Sequence, residues 1–147
     1  MSTKRAYRRT SHCVYLCDYH LVFATKYRRE CITDDLWKYI YGKLLELTEH
    51  HPTLYIHEAN HDKDHMHIMI SIPPQKCVGA VVRDIKSNTS RKIREKFPYL
   101  KKFYWGTDGI WSDGYFVSTV GVDQSVIQRY IRNQGADDAG QTATLFG

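Results

Sequence analysis

The chain has 147 residues, a formal net charge of +5, 42% hydrophobic residues and 13% aromatic residues. This length fits one domain and argues against a two-domain enzyme with a separate cofactor module, and the hydrophobic content is too high for a disordered chain. The longest apolar run, Cys13 to Cys17, is too short to span a membrane. With no secretory segment and no C-x-x-C pair, we expect a cytoplasmic protein with reduced thiols.

The first part of the chain predicts an arm, a strand and a helix. Residues 1–11 are basic and polar and predict a flexible arm. Residues 12–25 are rich in β-branched and aromatic residues and predict a strand. Thr33, followed by two aspartates, provides an N-cap and an acidic first turn for a helix that ends before Pro52.

Two further strands are predicted over 54–59 and 65–72. In the second of these, apolar and polar side chains alternate along the run HMHIMISI. Because successive side chains of a strand point to opposite faces, His65 and His67 share one face, and Met66 lies on the other with the isoleucines.

The second half of the chain predicts two helices around a fourth strand. Apolar residues at helical spacing predict a basic amphipathic helix between Pro74 and Pro98. A strand is predicted around 110–120, and Asp123 can cap a last helix. Residues 135–147 are small and polar and predict a tail without regular structure.

This order of elements predicts an α+β fold. Strand, helix, strand, strand, helix, strand and helix is the ferredoxin-like βαββαβ pattern, an antiparallel sheet with helices on one face, followed by a C-terminal helix. We therefore divide the chain into an arm over 1–11, a domain over 12–134 and a tail over 135–147.

Two pairs of residues are candidates for chemistry. His65 and His67 lie about 6.5–7 Å apart along one strand, close enough for both imidazoles to reach one metal ion. Tyr130 and Gln134 lie four residues apart and are neighbours on one face of the last helix. Taken alone, each pair also fits a plain structural role, as polar residues on a half-exposed strand and as core packing at a helix end.

A zinc site near the first predicted strand is a weaker alternative. Cys13, Cys17, His12 and His20 are close in sequence. On a strand these positions lie on both faces, so the four side chains cannot converge on one ion.

Positive charge is concentrated between the two candidate pairs. Residues 83–102 contain eight Lys and Arg against two carboxylates, a local charge of +6, and an aromatic stretch follows at 103–105. Such a patch fits a phosphate backbone with bases stacked on rings. The predicted DNA contacts are Arg83, Lys86, Arg91, Lys92, Arg94, Lys101 and Lys102.

The ordered motifs resemble a known family of enzymes. They are YHLVFATKYRR, DHMHIMISIP, IKSNTSRKIREKFP, IWSDGYFVSTVG and VIQRYIRNQ. Over about residues 13–134 the chain is similar to the single-tyrosine HUH transposases of small insertion sequences, the TnpA type, which move DNA as a single strand.

The resemblance implies a site and a reaction. It assigns the metal-binding pair to His65 and His67, the nucleophile to Tyr130 and a third metal ligand to Gln134, with Mg²⁺ or Mn²⁺ as the cofactor. It implies cleavage and rejoining of single-stranded DNA at insertion-sequence ends through a 5′-phosphotyrosine. The implied partners are DNA hairpins at the element ends and a second copy of the chain, whose tyrosine helix can complete the site, with action at the nucleoid and no membrane partner.

Two other functions stay open at this point. A rolling-circle replication initiator or relaxase would share the HUH chemistry, but the short chain and the single candidate tyrosine favour a transposase. A non-catalytic module that binds single-stranded nucleic acid could use the same scaffold. The sequence lacks the aromatic signature of RNA-recognition modules.

Overall fold

The computed structural model describes residues 7–104, 109–119 and 124–138. Short 3₁₀ turns lie at Lys26–Arg28 and Pro98–Lys102. The strands and helices, in chain order, are β1 (Arg8–Thr10), β2 (Cys13–Tyr15), β3 (Asp18–Ala24), α1 (Asp34–His50), β4 (Tyr55–His61), β5 (His65–Ser71), α2 (Val78–Ser90), α3 (Ile93–Lys96), β6 (Phe116–Thr119) and α4 (Gln124–Asp138).

Four antiparallel strands form the central sheet in the order β4-β5-β3-β6. This is the strand order of a ferredoxin-like fold, so the predicted α+β architecture is confirmed. Helices α1 and α2 pack on one face of the sheet, and α4 packs on the other. No helix within the described ranges is long and apolar enough to cross a membrane.

The alternation of β5 divides the sheet into two faces. The core face carries fully buried apolar side chains that pack against α1 and α2: Leu21, Phe23, Met66, Ile68 and Ile70. The opposite face, which we call the histidine face, carries His20, Val22, His65, His67 and Met69. The predicted separation of the β5 side chains is confirmed.

Helix α1 covers part of the core face. Thr33 is its N-cap, and the hydroxyl of Thr33 accepts a hydrogen bond from the backbone N–H of Leu36 at 3.2 Å. The helix buries one apolar stripe, and each such side chain contributes about 1.5–3 kcal/mol. The stripe consists of Leu36, Ile40, Leu44 and Leu47.

The first strand differs from its prediction. Residues 12–25 form two strands, because the chain reverses in a turn at Ser11 and His12 and 13–15 pair with 8–10 in a separate hairpin. The prediction of a flexible arm is therefore wrong for Arg8–Thr10; residues 1–6 lie outside the described residues.

The basic helix and the fourth strand are shorter than predicted. Lys92 adopts a left-handed conformation, with φ 56°, and separates α2 from α3. The strand predicted around 110–120 is regular only over Phe116–Thr119, because the chain before it turns away after one bridge between Trp111 and Thr25.

The last helix is longer than predicted and reaches Asp138. Gly135 does not adopt a left-handed conformation and does not end α4. The first residues of the predicted tail are therefore helical, and the carboxylate of Asp138 is held by hydrogen bonds described below. Asp123 and residues 139–147 lie outside the described residues.

Candidate active site

The histidine pair lies at the beginning of the inner strand β5. His65 and His67 are both half-buried on the histidine face of β5. The register with β3 sets Ala24 opposite His65 and Val22 opposite His67. The prediction that both imidazoles share a face is confirmed, and β3 provides the neighbouring side chains.

Asp64 holds the first histidine of the pair. Its Oδ1 accepts a hydrogen bond from Nδ1 of His65 at 2.8 Å, and its Oδ2 accepts one from Nε of Arg28 at 3.3 Å. The His65 bond lowers the pKa of Asp64 and Arg28 adds to this, although desolvation acts in the opposite sense. Since Nδ1 of His65 donates, the lone pair on Nε2 is the one available to a ligand.

His20 contacts the second histidine of the pair. Nδ1 of His20 lies 2.7 Å from Nε2 of His67, with the ring centroids 4.9 Å apart. Burial lowers the pKa of both imidazoles, which favours their neutral forms. The sequence analysis considered His20 only as a ligand of a zinc site. The alternation of side chains along β3 could have placed His20 on the face of His65 and His67, because a ferredoxin-like strand order sets β3 beside β5.

Tyr130 lies on α4, above the histidine face. Its buried ring is 5.6 Å from the ring of Phe116, in an apolar cluster that includes Val22, the residue opposite His67. Its hydroxyl lies close to Gly114, since a Cβ atom at that glycine would be 3.3 Å from Oη of Tyr130. The tyrosine helix and the histidine pair therefore occupy the same face of the sheet.

Gln134 faces the same segment as Tyr130. A Cβ atom at Gly114 would lie 2.6 Å from Oε1 of Gln134, so a larger residue at this position would displace the amide from where it lies. The Gln134 amide nitrogen also donates to Asp138 at 3.5 Å, and the same carboxylate accepts from the Ser112 hydroxyl at 2.7 Å and the Tyr27 backbone N–H at 3.0 Å. These contacts fix the C-terminal end of α4.

A different part of α4 lines a cavity beside His65. A cavity of about 200 Å³ beside His65 is lined from α4 by Gln128 and Ile131. Within this chain, Tyr130 and Gln134 instead lie against Gly114. The predicted side chains are thus brought together as two pairs, His65 with His67 on β5 and Tyr130 with Gln134 against Gly114.

The donor chemistry fits part of a divalent-metal site. Among the described residues, no group of three or more His, Cys, Asp or Glu side chains could hold a metal ion. His65 and His67 offer two imidazole nitrogens, and Asp64 orients the first ring. Two nitrogen donors with positions left for oxygen ligands fit a catalytic site better than a closed structural one.

Lys86 is partly buried and its ammonium group is bound to backbone. Its ammonium donates to three consecutive carbonyl oxygens, those of Ser112, Asp113 and Gly114, at 2.8, 2.9 and 3.0 Å. Burial lowers the pKa of Lys86. Although Lys86 was predicted to contact DNA, its donors are used to fix the segment against which Tyr130 and Gln134 lie.

Three of the other predicted DNA contacts line a groove at the end of α2. A groove of about 460 Å³ is lined by Arg91, Lys92 and Arg94 together with Ser87 and Ser90. Within it, the Arg94 guanidinium also donates to the carbonyl of Gly109 at 2.8 Å. The exposed members of the predicted set are Arg83, Arg91, Lys92, Lys101 and Lys102.

The two described residues of the aromatic stretch after α3, Phe103 and Tyr104, pack against the core. Tyr104 is only 1% exposed, and its hydroxyl lies 3.4 Å from Sγ of Cys31 in the core. The prediction that Tyr104 stacks on bases is therefore wrong. Phe103 is partly buried against the same core, and Trp105 lies outside the described residues.

Comparison with known proteins gives one consistent family. Residues 13–134 match the family described as "Transposase IS200 like". The transposase for insertion sequence element IS200 of Salmonella typhimurium is 34% identical over 128 residues, which cover 87% of this chain and 83% of that protein. The ISDra2 transposase TnpA of Deinococcus radiodurans is 27% identical over 122 residues, covering 82% of this chain and 86% of that protein.

Solved structures share the fold. The crystal structure of a candidate transposase from Deinococcus radiodurans superposes with a TM-score of 0.77 at 29% identity, covering 86% of this chain and 97% of that chain. A REP-associated tyrosine transposase bound to a REP hairpin gives a TM-score of 0.52 at 13% identity, covering 95% of this chain and 74% of that chain. The second likeness is one of fold alone.

Proposed function

The chain belongs to the IS200-like family of transposases, and from that premise we propose that it cleaves and rejoins single-stranded DNA at insertion-sequence ends through Tyr130. The substrate is DNA with hairpins near the ends of the element. The family assignment favours this function over a replication initiator, a relaxase or a non-catalytic binding module.

The observation that carries the proposal is the shared face of the sheet. The histidine pair and the tyrosine helix α4 both lie on the histidine face. The apolar cluster around Tyr130 includes Val22, which pairs with His67. A nucleophile and a metal-binding pair on one face can act on one phosphate. A purely structural tyrosine would give no reason for two imidazoles on the face of the sheet that its helix covers.

The reaction uses the tyrosine as a covalent carrier. The phenol oxygen of Tyr130 attacks the scissile phosphorus and forms a phosphotyrosine with the 5′ end, while the 3′ oxygen leaves and takes up a proton. A 3′ hydroxyl then attacks a phosphotyrosine, which reforms the phosphodiester and returns the phenol. Because the bond energy stays in the phosphotyrosine, rejoining needs no nucleotide cofactor.

His65 and His67 would hold a divalent ion, Mg²⁺ or Mn²⁺, with Gln134 as a further ligand. When bound, such an ion supplies Lewis-acid stabilisation of the negative charge on the phosphate. Asp64 and Arg28 keep the His65 ring in position for this role. A phenol has an ordinary pKa of about 10, so the surroundings of Tyr130 must also favour loss of its proton during attack.

We further propose that the working protein is a homodimer with shared sites. Within one chain, Tyr130 and Gln134 lie against Gly114, whereas Gln128 and Ile131 of the same helix line the cavity beside His65. A tyrosine helix supplied by a second copy of the chain would remove this mismatch.

Adduct formation tests the reaction. The protein is incubated with Mn²⁺ and single-stranded DNA from its own element ends, and a denaturant-resistant protein–DNA adduct is sought. We expect an adduct for the unmodified protein and none for Tyr130→Phe. Tyr41→Phe, at an exposed tyrosine of α1, is the matched control and should behave as the parent. An adduct formed by Tyr130→Phe would overturn the assignment of the nucleophile.

Mixed subunits test the shared site. Tyr130→Phe protein and a protein carrying both His65→Ala and His67→Ala should each be inactive alone. If a tyrosine helix serves the histidines of its partner, mixed dimers restore adduct formation in one of their two sites. Failure of mixing, with each parent dimer shown to exchange subunits, contradicts sharing and leaves the reaction within one chain.

A further inference from the structure

A third imidazole, that of His20, lies beside the histidine pair of His65 and His67. His20 lies on β3, and its Nδ1 is 2.7 Å from Nε2 of His67. The two rings are inclined by 34°, with centroids 4.9 Å apart. A contact this short requires a proton on one nitrogen and a lone pair on the other, so the positions of the ring protons in His20 and His67 are linked.

The position of His20 in the sheet makes it a firm support. β3 is a central strand, and His20 is paired with Met69 on one side and with Ser118 on the other. The next residue, Leu21, is fully buried in the core. Because its backbone is held from both sides, the His20 ring can resist rotation of the His67 ring.

The two histidines of the pair are thus supported by different partners. Asp64 binds Nδ1 of His65, and His20 binds Nε2 of His67. Partners of this kind orient metal-binding imidazoles, and their loss typically costs about 10- to 100-fold in metal affinity or activity. Each imidazole of the pair has one such partner.

Building on the proposed function of the histidine face, we propose that His20 is a positioning residue that fixes the ring orientation and tautomer of His67. His20 acts through His67 and does not itself touch the DNA or bind the metal. This role extends the site from β5 to β3.

One measurement examines the contact in the unmodified protein without metal. Histidine-labelled protein is studied by ¹⁵N NMR, in which a hydrogen bond between two nitrogens gives a measurable coupling across the bond. We expect a coupling between Nδ1 of His20 and Nε2 of His67. A correctly folded protein in which these nitrogens show no coupling overturns the proposal.

Two variants examine the consequence for metal binding. His20→Phe keeps a ring but removes the nitrogen, whereas His20→Asn keeps a polar atom near the position of Nδ1. We expect Mn²⁺ affinity, measured by titration, to fall about 10- to 100-fold for His20→Phe and to recover in large part for His20→Asn. His61→Phe, at a histidine of β4 that stacks on Trp37, is the matched control and should bind Mn²⁺ as the parent does.

Failure of this inference is distinguishable from failure of the proposed function. If the parent protein binds no Mn²⁺ through His65 and His67, the proposed metal chemistry fails. If the parent binds Mn²⁺ and forms the Tyr130 adduct, but His20→Phe binds Mn²⁺ equally well or more tightly, the positioning role of His20 alone is wrong. Thermal unfolding and hairpin binding of each variant show that the comparison concerns folded protein.

Discussion

The two faces of the central sheet are built from the same strands but are held by different interactions. On the core face, fully buried side chains such as Ile68 pack against two helices in one large apolar cluster. On the histidine face, α4 rests on a small cluster around Val22 and Phe116 and is fixed at its end by the polar contacts of Asp138. The first face supplies stability, whereas the second leaves polar side chains accessible for chemistry.

Adjacent residues of β5 give the largest contrast between the faces. Ile68 is fully buried, so Ile68→Ala should lower the free energy of unfolding by about 2–5 kcal/mol. His67→Ala, one position away, should change it by about 1 kcal/mol or less and should abolish adduct formation. Denaturant unfolding measures the change in the free energy of unfolding, and the adduct assay measures the loss of activity. Equal destabilisation by the two changes would contradict the division of roles between the faces.

The assignment of β5 side chains to the two faces of the sheet could be predicted from the sequence. Strict alternation in β5 is enough to assign Met66 to the core and His65 and His67 to the other face, because a strand has a side-chain period of two. The order of elements was enough for the ferredoxin-like sheet. Both properties depend on local patterns and on a small set of permitted topologies.

Long-range contacts account for what the sequence could not predict. The role of His20 depends on the register between β3 and β5, which no local pattern determines. Lys86 has the spacing of a surface residue on a basic helix, yet it meets a loop 26 to 28 residues further along the chain. Gly135 is a reasonable stop signal, but tertiary contacts of Asp138 carry the helix past it.

A smaller difference in stability is expected between variants of two basic residues of α2, the partly buried Lys86 and the exposed Arg83. Lys86→Met removes the donor shared by three carbonyl groups and should cost about 1–3 kcal/mol of stability. Arg83→Met, on the exposed side of the same helix, should change stability by no more than about 0.5 kcal/mol. Thermal unfolding measures both changes.

DNA binding should give the reverse ranking for these two variants. If Arg83 contacts a phosphate, Arg83→Met weakens hairpin binding and lowers the salt dependence of the binding constant by about one charge. Lys86→Met that remains folded should bind hairpin DNA as the parent does. A salt dependence altered by Lys86→Met and not by Arg83→Met would return Lys86 to the DNA-binding set.

A stability effect smaller than that of Lys86→Met is expected where α4 meets the loop on the histidine face. A Cβ atom at Gly114 would press on the Gln134 amide, but that amide is the far end of a flexible side chain and can move aside. Gly114→Ala should therefore change stability by about 1 kcal/mol or less while shifting the NMR signal of the Gln134 side-chain amide. Gly42→Ala is the matched control, since its Cβ would meet no atom within 4 Å, and removing a glycine from the interior of α1 should stabilise the protein by about 0.5–1 kcal/mol. If Gly114→Ala leaves the Gln134 signal unchanged in the free protein, α4 does not rest against this loop in solution, and the histidine face is more open than its contacts indicate.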